Sequence, residues 1–76
     1  MPSRPRKRSL MIAGHPTSLS LEDNFWRALL EVAASKGISV ATLIEQIDKS
    51  RGHAGLSGAV RVYLLEHYRD TARRSG

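Results

Sequence analysis

The sequence predicts a mainly α-helical domain with a short β-ribbon and a third, C-terminal helix, assembled as a homodimer. Three observations point there. Residues 17–21 alternate apolar and small polar side chains with a period of two. Three later segments repeat apolar residues at the three- and four-residue spacing of amphipathic helices. The chain has 76 residues and no cysteine, so it is small and has no disulfide to staple it. Below about 70–80 residues a single core stabilises a fold by no more than roughly 3–5 kcal/mol, and a second subunit is then a common remedy.

The elements follow in order. Residues 1–8 hold two prolines and four bases, Arg4, Arg6, Lys7 and Arg8, with no acid. They read as a disordered basic arm. The folded domain is expected over residues 9–71, with an extra β-like segment at Ser9–Ala13, the breaker cluster Gly14-His15-Pro16, and a strand at Thr17–Leu21. A reversal over Gly14–Thr17 sets Ile12 opposite Leu19 and Leu10 opposite Leu21, so the apolar faces agree; a flexible arm is the alternative. Glu22–Lys36 reads as a first helix, with acids in its first turn and Gly37 after it as the stop. Its stripe is Phe25, Ala28, Leu29, Val32 and Ala33, widened by Trp26 and Leu30. Ser39 caps a second helix over Val40–Ser50, with Val40, Leu43, Ile44 and Ile47 on one face. Gly52–Gly55 is a loop, and Ser57 caps a third helix running to about Thr71. Residues 72–76 read as a disordered tail.

That third helix is apolar on several faces. Ala59, Val60, Tyr63, Leu64 and His67 make one stripe, while Val62, Leu65 and Tyr68 add surface elsewhere. So short a chain has little of its own to cover them, which again argues for a subunit interface.

The formal net charge is +5. The positive charge sits at the ends: the arm is purely basic, and residues 69–76 set Arg69, Arg73 and Arg74 against Asp70. Residues 9–68 are near neutral. A basic terminal segment on a near-neutral body suits a polyanion, nucleic acid first.

Other function classes find little support. His15, His53 and His67 are too far apart in sequence for a close-spaced metal motif. Ser, His and Asp occur in no activated-nucleophile motif, and Gly14 and Gly37 belong to no phosphate loop. No enzyme and no cofactor is expected. No apolar run reaches the ~18 residues of a membrane span, and no export signal is evident. The expected location is the cytoplasm, on the nucleoid.

A lone five-residue strand is not a stable edge, and pairing with its symmetry mate in a second chain is the simplest remedy. The resulting two-stranded ribbon packs Leu19 and Leu21 onto the helices and turns Ser18 and Ser20 outward. Such a ribbon fits the DNA major groove, and serine hydroxyls can face several base edges.

Here the sequence resembles the ribbon-helix-helix DNA-binding superfamily, which includes the methionine and Arc repressors. The matching residues run from Thr17 to about Ile47. They comprise the strand TSLSL, the acid-rich helix start LEDNFW, the turn Lys36-Gly37-Ile38-Ser39 and the apolar second helix. More narrowly, Arg8–Tyr68 is similar to the type 4 group of small bacterial ribbon-helix-helix proteins. That likeness rests on KRS-x-x-IAGH-x-TS-x-SLE near the start and LS-x-A-x-R-x-x-LLEHYR near the end.

The resemblance implies an intertwined homodimer acting as a transcriptional regulator, in the manner of a repressor, on double-stranded DNA. Carried onto this chain, Pro16, Ser18 and Ser20 face the groove, and Ser39 with Val40 holds a phosphate. Arg6, Lys7, Arg8 and His15 are added as DNA contacts from the basic arm and the ribbon start. The expected dimer interface is Leu19, Leu21, Trp26, Leu43, Ile47, Val60, Tyr63 and Leu64. A protein-interaction module of antitoxin or adaptor type is one alternative, although only Ala72–Gly76 follows the domain to wrap a partner. A non-specific nucleoid or plasmid-segregation protein is the other.

Overall fold

The computed structural model describes residues 4–53 and 55–75. A two-stranded antiparallel ribbon, β1 (Arg6–Ile12) and β2 (His15–Leu21), precedes three helices: α1 (Asp23–Lys36), α2 (Val40–Ser50) and α3 (Leu56–Ser75). Met1–Ser3 of the expected arm, Ala54 of the expected loop and Gly76 of the expected tail lie outside the described residues.

The ribbon is a hairpin within one chain. Ile12 pairs with His15, Leu10 with Thr17, Arg8 with Leu19 and Arg6 with Leu21. Two residues make the turn, Ala13 at φ 52° and Gly14 at φ 80°. Both lie in the left-handed region, the twist that a two-residue type I′ hairpin requires. The reversal is therefore tighter than the expected one over Gly14–Thr17, and Leu10 faces Thr17 rather than Leu21. The faces still agree, because both registers bring the same set of side chains to one side.

Parts of the two segments expected to be disordered are regular structure. Arg6, Lys7 and Arg8 begin β1, and Ala72–Ser75 complete α3. The expectation that β2 needs a strand from another chain is corrected by the same finding, since β1 supplies its partner. The far edge of β2 is also occupied at one point. Ser20 N–H donates to Ser57 Oγ at 3.1 Å, and Arg61 Nη2 donates to the Ser20 carbonyl at 3.4 Å.

The helix ends follow local chemistry. α1 stops at Gly37, φ 69°, where Ile38 N–H donates to the Ala33 carbonyl and Gly37 N–H to that of Ala34, the double bond of a Schellman stop. Ser39 opens α2, its hydroxyl accepting from Thr42 N–H at 3.0 Å and donating to Thr42 Oγ1 at 2.9 Å. Ser57 caps no helix: α3 starts one residue earlier, with Ala59 N–H bonded to the Gly55 carbonyl.

The core sits between the inner ribbon face and the three helices. It comprises Ile12, Leu19 and Leu21 of the ribbon, Leu29, Val32 and Ala33 of α1, Leu43, Ile44 and Ile47 of α2, and Val60 and Leu64 of α3. α2 packs on β1 and α3, while α3 packs on β2 and α1.

Most of the residues expected at the dimer interface lie in this core of the single chain. Leu19, Leu21, Leu43, Ile47, Val60 and Leu64 are each at most 3% exposed within a single chain. Trp26 and Tyr63 are half-buried against the same cluster. β1 and α3 contribute Ile12, Val60 and Leu64 to it and pack on α2, β2 and α1. Among the described residues, the large apolar side chains left exposed are Met11, Leu30, Val62, Leu65 and Tyr68.

Candidate nucleic-acid interface

Strand alternation divides the hairpin into two faces. The inner face carries Arg6, Arg8, Leu10 and Ile12 of β1 with His15, Thr17, Leu19 and Leu21 of β2; the outer face carries Lys7, Ser9 and Met11 with Pro16, Ser18 and Ser20. All six outer side chains are exposed. The expected groove-facing set Pro16, Ser18 and Ser20 is thus brought onto one solvent-facing surface.

The three cations of the expected arm do not share a role. Arg8 turns inward: its Nη2 donates to Asp23 Oδ1 at 3.2 Å, and its guanidinium lies 4.5 Å from the Trp26 ring centroid. Arg6 reaches the same carboxylate oxygen, Nε to Oδ1 at 3.4 Å, with its side chain still largely in solvent. Only Lys7 stands on the serine face. Sequence periodicity of β1 could have separated them, since Arg6 and Arg8 share parity with Leu10 and Ile12.

His15 pairs with Ile12 beside the turn and falls on the inner parity, exposed at the hairpin's end. It is not on the serine surface. Ser39 is exposed, and its hydroxyl is engaged by Thr42; Val40 is half-buried at the start of α2. Backbone N–H groups of a helix's first turn have no intrahelical acceptor, so this end retains donors that could meet an anion.

An unforeseen ion pair fixes the ribbon to the helices. Arg61 of α3 donates from Nε and Nη2 to Glu22 Oε1, at 3.1 and 2.8 Å. Glu22 is the residue between β2 and α1, and the Arg61 hydrogen bonds hold its carboxyl below its ordinary value of 4.5. Arg61 also lies 5.7 Å from the Phe25 ring centroid. Its one-residue offset from Val60 and its distance in sequence from Glu22 gave no sign of this contact.

A second surface lies on the other side of α3. Phe25 and Ala28 of α1 with Val62, Leu65 and Tyr68 of α3 line an open groove of about 420 Å³. The Tyr68 hydroxyl approaches Glu31 Oε1 at 3.4 Å, and desolvation followed by the Glu31 charge raises its pKa above the ordinary 10.0. His67 is half-buried, stacked on Tyr63 with ring centroids 6.4 Å apart.

A solvent-facing hairpin mounted on a closed helical body defines the class: a ribbon-and-helix protein with the fold of DNA-binding regulators. The chain belongs to the ribbon-helix-helix domain family, which it matches over residues 5–68. It is also 35% identical to an uncharacterized protein of Bordetella pertussis Tohama I of solved structure. The two superpose with a TM-score of 0.77, over 91% of this chain and 59% of the other, so this chain spans about three fifths of that protein's length. No curated protein matches the chain. Among the described residues, no helix is long and apolar enough to cross a membrane.

Proposed function

We propose that the chain is a DNA-binding transcriptional regulator, working as a homodimeric repressor in the bacterial cytoplasm rather than as an enzyme. The observation that carries this reading is the outer ribbon face. It is an exposed, two-stranded surface bearing hydroxyls at Ser18 and Ser20, of a width that enters the major groove. The first-turn amides at Ser39 and Val40 are the proposed phosphate anchor, and Arg6 lends charge at the ribbon's open end. Arg8, tied to Asp23 and Trp26, serves the fold instead.

Each chain contributes its own complete hairpin, and a dimer then sets two hairpins on two half-sites. With the expected interface consumed by the core, the proposed dimer contact moves to the exposed residues Val62, Leu65 and Tyr68. The groove they line with Phe25 also favours the second reading, an adaptor that receives a protein partner there.

Selection from a random-sequence duplex pool at two salt concentrations, with sedimentation of the free protein, tests the proposal. Enrichment of a repeated or palindromic site by a dimeric protein is expected. Retention of all sequences alike with a steep salt slope makes it a non-specific binder, and no retention by the folded protein ends the DNA reading.

A further inference from the structure

β1 supplies half of the outer ribbon face. Its register sets Lys7 beside Ser20, Ser9 beside Ser18 and Met11 beside Pro16. The chemistry is graded along the hairpin: a cation where the strands leave for the helices, a pair of hydroxyls in the middle, and an apolar pair next to the turn. Lys7 forms no hydrogen bond or ion pair with another described residue, while Arg6 and Arg8 on either side both reach Asp23. Met11 is 62% exposed, the most open of the large apolar side chains, and lies on the face away from the core.

We propose that β1 is itself a DNA-contacting strand, with Lys7 on a backbone phosphate, Ser9 beside Ser18 on a base edge, and Met11 with Pro16 on a thymine methyl. This rests on the DNA-binding reading above and goes further by assigning the strand and the base class. An ammonium on a flexible stem acts on phosphate as a point charge. A hydroxyl donates and accepts, so Ser9 meets any base edge. Neither Met11 nor Pro16 has a side-chain hydrogen-bond donor, and of the features in the major groove only the thymine C5-methyl suits an apolar pair. Lys7 and Met11 are four residues apart along a strand, about 13 Å, which spans roughly four base pairs. The ligand so defined is a duplex with an A·T pair under the turn end of the hairpin.

The test takes the full chain and the duplex enriched by selection, labelled with fluorescein and titrated by anisotropy at several salt concentrations. Lys7→Gln is expected to weaken every sequence alike and to reduce the salt slope by about one per chain. Lys49→Gln, on α2 and paired with Glu45, removes the same charge away from the ribbon and is expected to leave the slope unchanged. Met11→Ser is expected to lose at least about five-fold of the preference for A·T over G·C at one position, with binding to G·C unweakened. All three side chains are exposed, so circular dichroism and melting are expected to match the parent. Equal losses in Lys7→Gln and Lys49→Gln overturn the phosphate contact as mere net charge. An unchanged base preference in Met11→Ser overturns the methyl contact. If the parent chain binds no duplex, the DNA-binding reading itself fails, and that outcome is separate from both.

Discussion

Arg61 places two donors on a single carboxylate oxygen of Glu22, joining the middle of α3's first half to the junction between β2 and α1. The same guanidinium touches the Ser20 carbonyl, so one side chain fixes the root of the ribbon against the helical body. Its Nη2–Oε1 distance of 2.8 Å is that of a charge-assisted bond.

The pair predicts a pH dependence of known sign. Glu22 has its pKa lowered by the hydrogen bonds from Arg61. Its contribution to stability is therefore complete above the ordinary value of 4.5, and is lost as pH falls through the depressed folded value. Arg61→Gln should lower the urea midpoint at about pH 7 and lose less than the parent between about pH 5 and pH 3. Parallel losses in both proteins would show that other carboxylates carry the acid response.

The turn makes a prediction of the opposite kind. Ala13 holds φ 52° with a Cβ, an arrangement that costs an ordinary L-residue roughly 1–2 kcal/mol and asparagine less. Ala13→Asn should stabilise the domain by about 0.5–1 kcal/mol, seen as a rise of several degrees in Tm. Gly14→Ala, at φ 80°, should lower it by at least as much.

The helices were more legible than the ribbon. For α1 and α2 the apolar spacing and the punctuation agree: Gly37 stops one, Ser39 starts the other, and both ends fall at or within one residue of where the sequence puts them. The hairpin was legible only in its faces. Its turn depends on an alanine in a left-handed conformation, which residue type does not advertise, whereas Gly14-His15-Pro16 advertises a later break. Arg6–Arg8 look like an arm because nothing local makes them a strand. Their order comes from Asp23 and Trp26, well beyond them in sequence. The same long-range closure explains the interface: β1 and α3 bury Leu19, Leu21 and Val60 inside one chain. The outer position of Ser18 and Ser20 follows from strand parity alone.

Ser39 separates capping from any contact with DNA. Its hydroxyl accepts from Thr42 N–H, so Ser39→Ala should cost about 1 kcal/mol, and Ser39→Asp should retain the cap. If the α2 terminus faces phosphate as proposed, Ser39→Asp should keep the parent Tm while weakening binding to every duplex, because it sets an anion against an anion. Unchanged affinity in Ser39→Asp would remove α2 from the interface.

Arg8 should behave as a structural residue, in contrast to Lys7 beside it. Its guanidinium is held between the Asp23 carboxylate and the Trp26 ring, and its Nε is buried without a hydrogen-bond partner among the described residues. The unpaired Nε offsets part of what the other contacts contribute, so Arg8→Ala should destabilise by only about 1–2 kcal/mol. Arg8→Lys should not restore the loss, since an ammonium lacks the planar group that stacks on an indole. Trp26 is the chain's one tryptophan, which makes its emission a specific reporter. Removing Arg8 should open the indole to water and shift the emission to longer wavelength, while Lys7→Gln leaves it in place. An unshifted spectrum in Arg8→Ala at the parent Tm would return Arg8 to the surface and to the pool of cations available to DNA.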